Sequence, residues 1–127
     1  MELYFPAELP ERLAFLAAVV VAAFGLLTML FPARLLRAGG LVTGEVTSVG
    51  FGATRSIGGL HLGLGLAAIA LAQDFTYLML GSALGFAALG RLLSLFLDRG
   101  RMAINTLVLI VQLTLAALPL GYVLGYF

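Results

Sequence analysis

The side chains of this sequence that could take part in chemistry are few, and most lie inside or beside long apolar segments. His61 follows Arg55 by six residues, which places it roughly 9 Å further along a helix. Arg91 precedes Asp98 by seven residues, so it lies roughly 10 Å inside the end of its own segment. Because Gln112 also falls in an apolar segment, we expect polar groups from three helices at similar depth. The candidate ligand-binding residues are Arg55, His61, Arg91, Asp98, Asn105 and Gln112.

Two interpretations of these polar residues stay open. Ionisable side chains within a membrane usually face the bundle interior, a partner or water. In the functional interpretation, the cluster therefore lines a pocket open to the cytoplasm, which binds a lipid headgroup, a quinone-like ring or a small anion. In the structural interpretation, Arg91 extends toward the interface and meets Asp98 on its own helix, while a neutral His61 donates to a carbonyl.

Other kinds of site lack the residues they need. A single histidine without a carboxylate at a ligand spacing leaves too few ligands for a metal, and the absence of cysteine excludes thiolate sites and disulfides. Asp74 and Asp98 lie at segment ends, and no nucleophile motif surrounds the serines, which excludes a catalytic triad. We therefore assign no catalytic residue, no metal and no cofactor, and the sequence favours a protein that is not an enzyme.

Composition and hydropathy decide the elements that position these residues. The chain of 127 residues is 62% hydrophobic and 10% charged, against roughly 45–50% and 25% in soluble domains. Apolar segments of roughly 20 residues cross a bilayer as helices. The sequence predicts one integral membrane domain, 1–127, an all-α transmembrane four-helix bundle with a tight hairpin at Gln73-Asp74. Its spans cover about 13–31, 57–72, 75–97 and 103–127, and a polar beginning of the second helix starts near Glu45.

The arginines predict the orientation. Basic residues collect on the cytoplasmic side of membrane proteins, and only Arg12 lies on the side of the two termini. We expect a multi-pass protein of the bacterial inner membrane with both termini in the periplasm. With a formal net charge of +1 and no basic stripe, nucleic acid is not an expected partner. The arginines of the predicted cytoplasmic side are Arg34, Arg37, Arg55, Arg91, Arg99 and Arg101.

Three pairs of glycines spaced four apart predict close helix packing. Each pair places two small residues on one helix face, where another backbone can approach. The partner is either another helix of the same bundle or a second subunit, and the sequence leaves both open. The predicted helix-packing residues are Gly59, Gly63, Gly81, Gly85, Gly121 and Gly125.

Two stretches, RSIGGLHLGLGL at 55–66 and GRLLSLFLD at 90–98, resemble a family of bacterial four-helix membrane proteins, domain of unknown function 4345. That family is more distantly similar to DoxX-like membrane proteins. The resemblance implies a four-helix fold and no particular reaction, and Gln112 stands where a glutamate would be expected. The matching residues are Arg55, Gly58, Gly59, Gly90, Arg91 and Asp98.

Three functions compete on this basis. The first is an accessory or structural subunit of a larger membrane complex, or a self-associating bundle, with the lipid bilayer and other membrane subunits or its own copies as partners. The alternative is a lipid- or quinone-binding membrane protein, possibly an enzyme, that uses His61 and Arg91. A proton-coupled transporter is the weakest, because no span carries a central acid and only His61 could carry a proton.

Overall fold

The computed structural model describes residues 3–98 and 102–127, and these residues form an all-α bundle without strands, as predicted. Four of the helices are long and apolar enough to cross a membrane, which is compatible with a multi-pass membrane protein. A short helix and a 3₁₀ turn, Thr43–Glu45, connect the first two long helices. The helices are α1 (Leu9–Leu30), α2 (Pro32–Ala38), α3 (Ser48–Leu71), α4 (Asp74–Leu97) and α5 (Met102–Leu124).

Local sequence signals explain most of the helix boundaries. Pro10 lies in the first turn of α1, and Pro32 in the first turn of α2, where a missing N–H has no cost. The Thr47 side chain accepts a hydrogen bond from the Gly50 N–H at 3.1 Å, so α3 begins at Ser48, close to the polar beginning predicted near Glu45 and before the apolar span predicted from 57. Ala72 adopts a left-handed conformation and ends α3, and α4 begins at Asp74. The tight hairpin is confirmed.

The four long helices pack as two pairs. α3 packs along α1, α4 packs along α5, and α1 also packs against α5; α3 and α4 contact each other much less than either contacts its main partner. The buried apolar core lies at the end of the bundle that contains the α3–α4 hairpin and both termini, which we call the hairpin end. Its residues are Ala14, Ala18, Val21, Ala68, Tyr77, Leu80, Leu84 and Ala116.

Small residues bring the backbones of α1 and α3 close together. A Cβ added at Gly58 would lie 2.5 Å from the Met29 nitrogen, and one added at Gly65 would lie 2.7 Å from the Ala18 oxygen. Glycine is therefore required at both positions by the neighbouring backbone. The two glycines are seven residues apart, the spacing of helices that pack with a heptad pattern. The glycine pairs predicted from the sequence are four residues apart.

Each long helix carries one inward-facing row of residues alternately three and four apart. Most of these residues are buried, and His61, Arg91, Asn105 and Gln112 are half-buried. On α4 and α5, small and apolar residues occupy the rows near the hairpin end, and polar residues occupy them toward the opposite end, which we call the arginine end. The rows are 14, 18, 21, 25 and 28 on α1; 58, 61, 65 and 68 on α3; 77, 81, 84, 88 and 91 on α4; and 105, 109, 112, 116 and 119 on α5.

Candidate functional site

Arg91 lies between α4 and α5 and is held by two side-chain amides. Its Nε donates to Gln112 Oε1 at 2.9 Å, and its Nη1 donates to Asn105 Oδ1 at 2.7 Å. The three residues follow from the helical repeat, because each belongs to the inward-facing row of its helix and all three are half-buried. The structure therefore joins three of the candidate residues in one cluster, which we call the Arg91 cluster.

The Arg91 cluster presents mainly hydrogen-bond donors. Arginine has five N–H donors and no acceptor, so both amides must turn their oxygens toward it. Their NH₂ groups then point away from the guanidinium, and the rest of the guanidinium adds further donors. Among the described residues no carboxylate forms an ion pair with Arg91, so its positive charge is not neutralised within that part of the chain. This arrangement suits a ligand group that accepts hydrogen bonds and carries negative charge.

His61 belongs to the inward-facing row of α3. Leu64 follows it by three residues and Ala68 by seven, and both pack in the core. Its Nδ1 lies 2.8 Å from the Ile57 oxygen, and its ring packs edge-on against Phe24 with centroids 6.1 Å apart. Because a carbonyl can only accept, Nδ1 carries the hydrogen, and Nε2 of the neutral ring is an acceptor. No hydrogen bond joins His61 to Arg91 in the described chain, so the structure keeps them on separate helix pairs.

Arg55 and Asp98, the other two candidates, do not join the Arg91 cluster. Arg55 Nη1 donates to the Met29 oxygen at 2.7 Å, at the C-terminal end of α1, where backbone carbonyls lack helical partners. Asp98 ends α4 and accepts a hydrogen bond from Ser94 Oγ at 2.8 Å. The pairing of Arg91 with Asp98, which the structural interpretation expected, is replaced by the two amide contacts because α5 lies beside Arg91. Arg99 and Arg101, used for the orientation, lie outside the described residues.

The six glycines predicted to pack helices have different surroundings. A Cβ at Gly81 would lie 2.6 Å from Leu120 Cγ, so Gly81 packs α4 on α5, and Gly121 lies beneath the Phe127 ring. Gly59 has only Met29 Sδ nearby, at 3.6 Å. The other glycines make no close contact within the described chain: Gly63, Gly85 and Gly125 have no described neighbour within 4 Å.

Gly125 instead ends a helix. Its φ is +79°, and the following Tyr126 N–H donates to the Gly121 oxygen at 2.9 Å, the hydrogen bond of a Schellman motif. Helix α5 therefore stops at Leu124, before the predicted 127. The left-handed backbone at Gly125 requires glycine for a reason unrelated to packing.

Aromatic residues at the hairpin end were not predicted as a group. The rings of Tyr77 and Tyr122 pack edge-on with centroids 5.7 Å apart, and the fully buried Tyr77 hydroxyl has no hydrogen-bond partner among the described residues. Outside the spans, the Tyr4 hydroxyl donates to Glu11 at 3.3 Å, and the negative charge of that carboxylate raises the pKa of Tyr4. No local motif marks the contact between Tyr77 and Tyr122, because these residues are distant in the sequence.

Comparison with known proteins adds no assignment. No family model matches the chain, and neither curated proteins nor solved structures give a match. The resemblance to domain of unknown function 4345 therefore stays a prediction. Function has to be argued from the geometry of the Arg91 cluster and from the surfaces around it.

Proposed function

We propose that this protein binds a lipid- or quinone-type amphiphile whose polar end carries hydrogen-bond acceptors, at the Arg91 cluster. One observation carries the proposal: a positively charged guanidinium is fixed by two neutral amides, so its charge and its remaining N–H donors stay available to a further partner. A purely structural arginine would gain more from a carboxylate, because an unneutralised charge is costly in a membrane. The acceptor is a phosphate oxygen of a lipid or a carbonyl oxygen of a quinone.

The proposal includes a location. The cluster lies in the half of the bundle that we assign to the cytoplasmic leaflet of a bacterial inner membrane, with both termini in the periplasm. The basis is the collection of arginines near the α1–α3 and α4–α5 connections. Reporter enzymes fused to the C-terminus test this orientation. Activity of a periplasm-specific reporter is expected, and activity only of a cytoplasmic reporter would reverse the assignment.

Lipids and quinones that copurify with the protein in mild detergent test the binding role. Wild type is compared with Arg91→Lys, which keeps the charge but loses the planar fork that reaches two amides and a ligand together. Arg12→Lys, at the hairpin end, is the matched control. We expect Arg91→Lys to retain normal abundance and to lose a specific lipid or quinone that wild type and Arg12→Lys keep. Identical extracts from all three proteins would contradict the proposal.

A second function, an accessory subunit or a self-associating bundle, is favoured by Gly59 and Gly63. A Cβ at Gly59 would have only the flexible end of the Met29 side chain nearby, and no described residue lies within 4 Å of a Cβ at Gly63. Native mass measurement after detergent extraction tests it, with Gly63→Leu compared with Gly85→Leu on α4. Loss of a dimer or of a bound subunit only in Gly63→Leu supports this function, and a monomer without partners in wild type would count against it.

A further inference from the structure

Three arginines surround an open pocket at the arginine end, and none of its lining residues belongs to α4 or α5, which hold the Arg91 cluster. The pocket has a volume of about 340 Å³ and lies between the C-terminal end of α1, the short helix α2 and the beginning of α3. Because α1 is long enough to cross the bilayer, its C-terminal end lies at the membrane boundary. The residues that line the pocket are Leu30, Phe31, Pro32, Ala33, Arg34, Arg37, Phe51 and Arg55.

Neutral groups orient two of these arginines. The Arg34 guanidinium lies over the Phe31 ring, 5.3 Å from its centroid. Arg55 Nη1 donates to the Met29 oxygen at 2.7 Å and to the Leu30 oxygen at 3.5 Å. The Phe31 ring covers one face of the Arg34 guanidinium, and the two carbonyls occupy one edge of the Arg55 guanidinium. The other N–H donors of both residues stay available to the pocket. Because the contacts are with a ring and with carbonyls, they leave the positive charges in place.

No carboxylate lines this pocket. The one acid in the connection from α1 to α3 is Glu45, which is exposed, does not line the pocket and forms no ion pair among the described residues. The pocket therefore combines three like charges, with apolar walls from Leu30, Phe31 and Phe51. Three guanidinium groups so close together repel one another, and an anion between them would remove that repulsion.

We propose that this pocket binds a phosphate group, with Arg34, Arg37 and Arg55 as its ligands. Guanidinium groups bind phosphate oxygens through parallel N–H donors, and arginine keeps its charge at every physiological pH. The phosphate belongs either to an anionic phospholipid in the cytoplasmic leaflet or to a soluble phosphate ester. The apolar wall and the position at the boundary suit the lipid, whose acyl chains would extend along the exposed faces of α1 and α3. The site differs from the Arg91 cluster in its helices and its residues, and it stands independently of the function proposed for that cluster.

Native mass spectrometry of the purified protein with added phosphatidylglycerol or phosphatidylcholine tests the proposal. The main variant is Arg34→Gln/Arg37→Gln, since neither side chain forms a hydrogen bond within the described chain. A basic residue near an anionic surface contributes about fivefold in affinity, so this variant should bind phosphatidylglycerol roughly 25-fold more weakly. Arg12→Gln, at the hairpin end, should keep this binding. Thermal unfolding of each variant shows whether it is folded.

A parallel titration with glycerol phosphate identifies the source of the phosphate. Stabilisation of wild type by millimolar glycerol phosphate, absent in Arg34→Gln/Arg37→Gln and without preference for phosphatidylglycerol, would assign the pocket to a soluble ester. A preference for phosphatidylglycerol over phosphatidylcholine that the double variant loses would assign it to a lipid. Equal binding of both probes by wild type and the folded double variant would overturn the proposal. Arg55→Gln serves as a second variant, because it removes the arginine fixed by α1 without changing α2.

Discussion

The hairpin end and the arginine end of the bundle are built on the same inward-facing rows but contain different residues. At the hairpin end, Ala14, Tyr77 and Leu80 are completely buried and the four long helices share one apolar core. At the arginine end, the corresponding positions on α4 and α5 are taken by Arg91 and Asn105, which are half-buried. Shape complementarity holds the first end together, and hydrogen bonds between polar side chains hold the second.

This difference indicates how a small membrane protein separates stability from chemistry. In a bilayer, apolar side chains gain little by leaving lipid, so close packing and interhelical hydrogen bonds stabilise the bundle. Close packing stabilises the hairpin end and leaves no room there for a ligand. Interhelical hydrogen bonds stabilise the arginine end and leave N–H donors that a further partner can bind. Substitutions at the two ends should therefore affect different properties.

The largest expected effect on stability is at the contact between α1 and α3. Gly65→Ala places a methyl group 2.7 Å from both the Ala18 oxygen and the Ala22 nitrogen, and neither backbone atom can move without shifting a helix. We expect a loss of about 1–3 kcal/mol in the free energy of unfolding, measured in mixed detergent micelles. Gly63→Ala, on the same helix but without a described neighbour within 4 Å, should change it by less than about 0.5 kcal/mol. Equal effects would show that α3 does not pack through Gly65.

A smaller loss is expected at the arginine end. Arg91→Leu removes two interhelical hydrogen bonds, each contributing about 0.6 kcal/mol within a membrane, so a loss of about 1 kcal/mol is expected. Replacing Asn105 and Gln112 by leucine in the same protein should recover most of that loss, because no amide is then left without its partner. The same unfolding assay measures both variants. A triple variant no more stable than Arg91→Leu would show that the two amides have other partners and do not depend on Arg91.

The smallest effect is expected from the buried hydroxyl at the hairpin end. Tyr77→Phe removes a group that has no hydrogen-bond partner among the described residues and keeps the ring that packs on Tyr122. The free energy of unfolding should stay within about 0.5 kcal/mol of wild type or increase, since the oxygen is buried without compensation. A loss above about 1 kcal/mol would indicate that a bound water or another polar group pairs with the hydroxyl.

The sequence predicted the coarse fold for a local reason: hydropathy along a segment and helix-ending residues act on neighbours in the chain. The hairpin between α3 and α4 and the four long helices follow from that information. The polar beginning of α3 was predicted near Glu45, and the capping contact of Thr47 places it at Ser48. The short helix α2 lies in a stretch rich in arginine and glycine, whose composition is also typical of a loop.

The candidate site was predicted in part. Depth along a helix brought Arg91, Asn105 and Gln112 to the same level, and the structure joins them because all three lie in inward-facing rows three or four residues apart. Depth could not distinguish them from His61, which lies on α3 and contacts Ile57 and Phe24. The rows follow a seven-residue repeat that is already present in the sequence.

The sequence by itself determined that this chain forms four helices long and apolar enough to cross a membrane, and which few residues carry charge within them. The tertiary structure alone decided which helix faces meet, and therefore that Gly58 and Gly65 pack against α1 while Gly63 does not. The physical reason is that hydropathy measures the affinity of a segment for lipid, which is nearly the same for every apolar face. The choice among faces depends on fractions of an ångström between backbones and on single polar contacts, and these exist only once the helices are assembled.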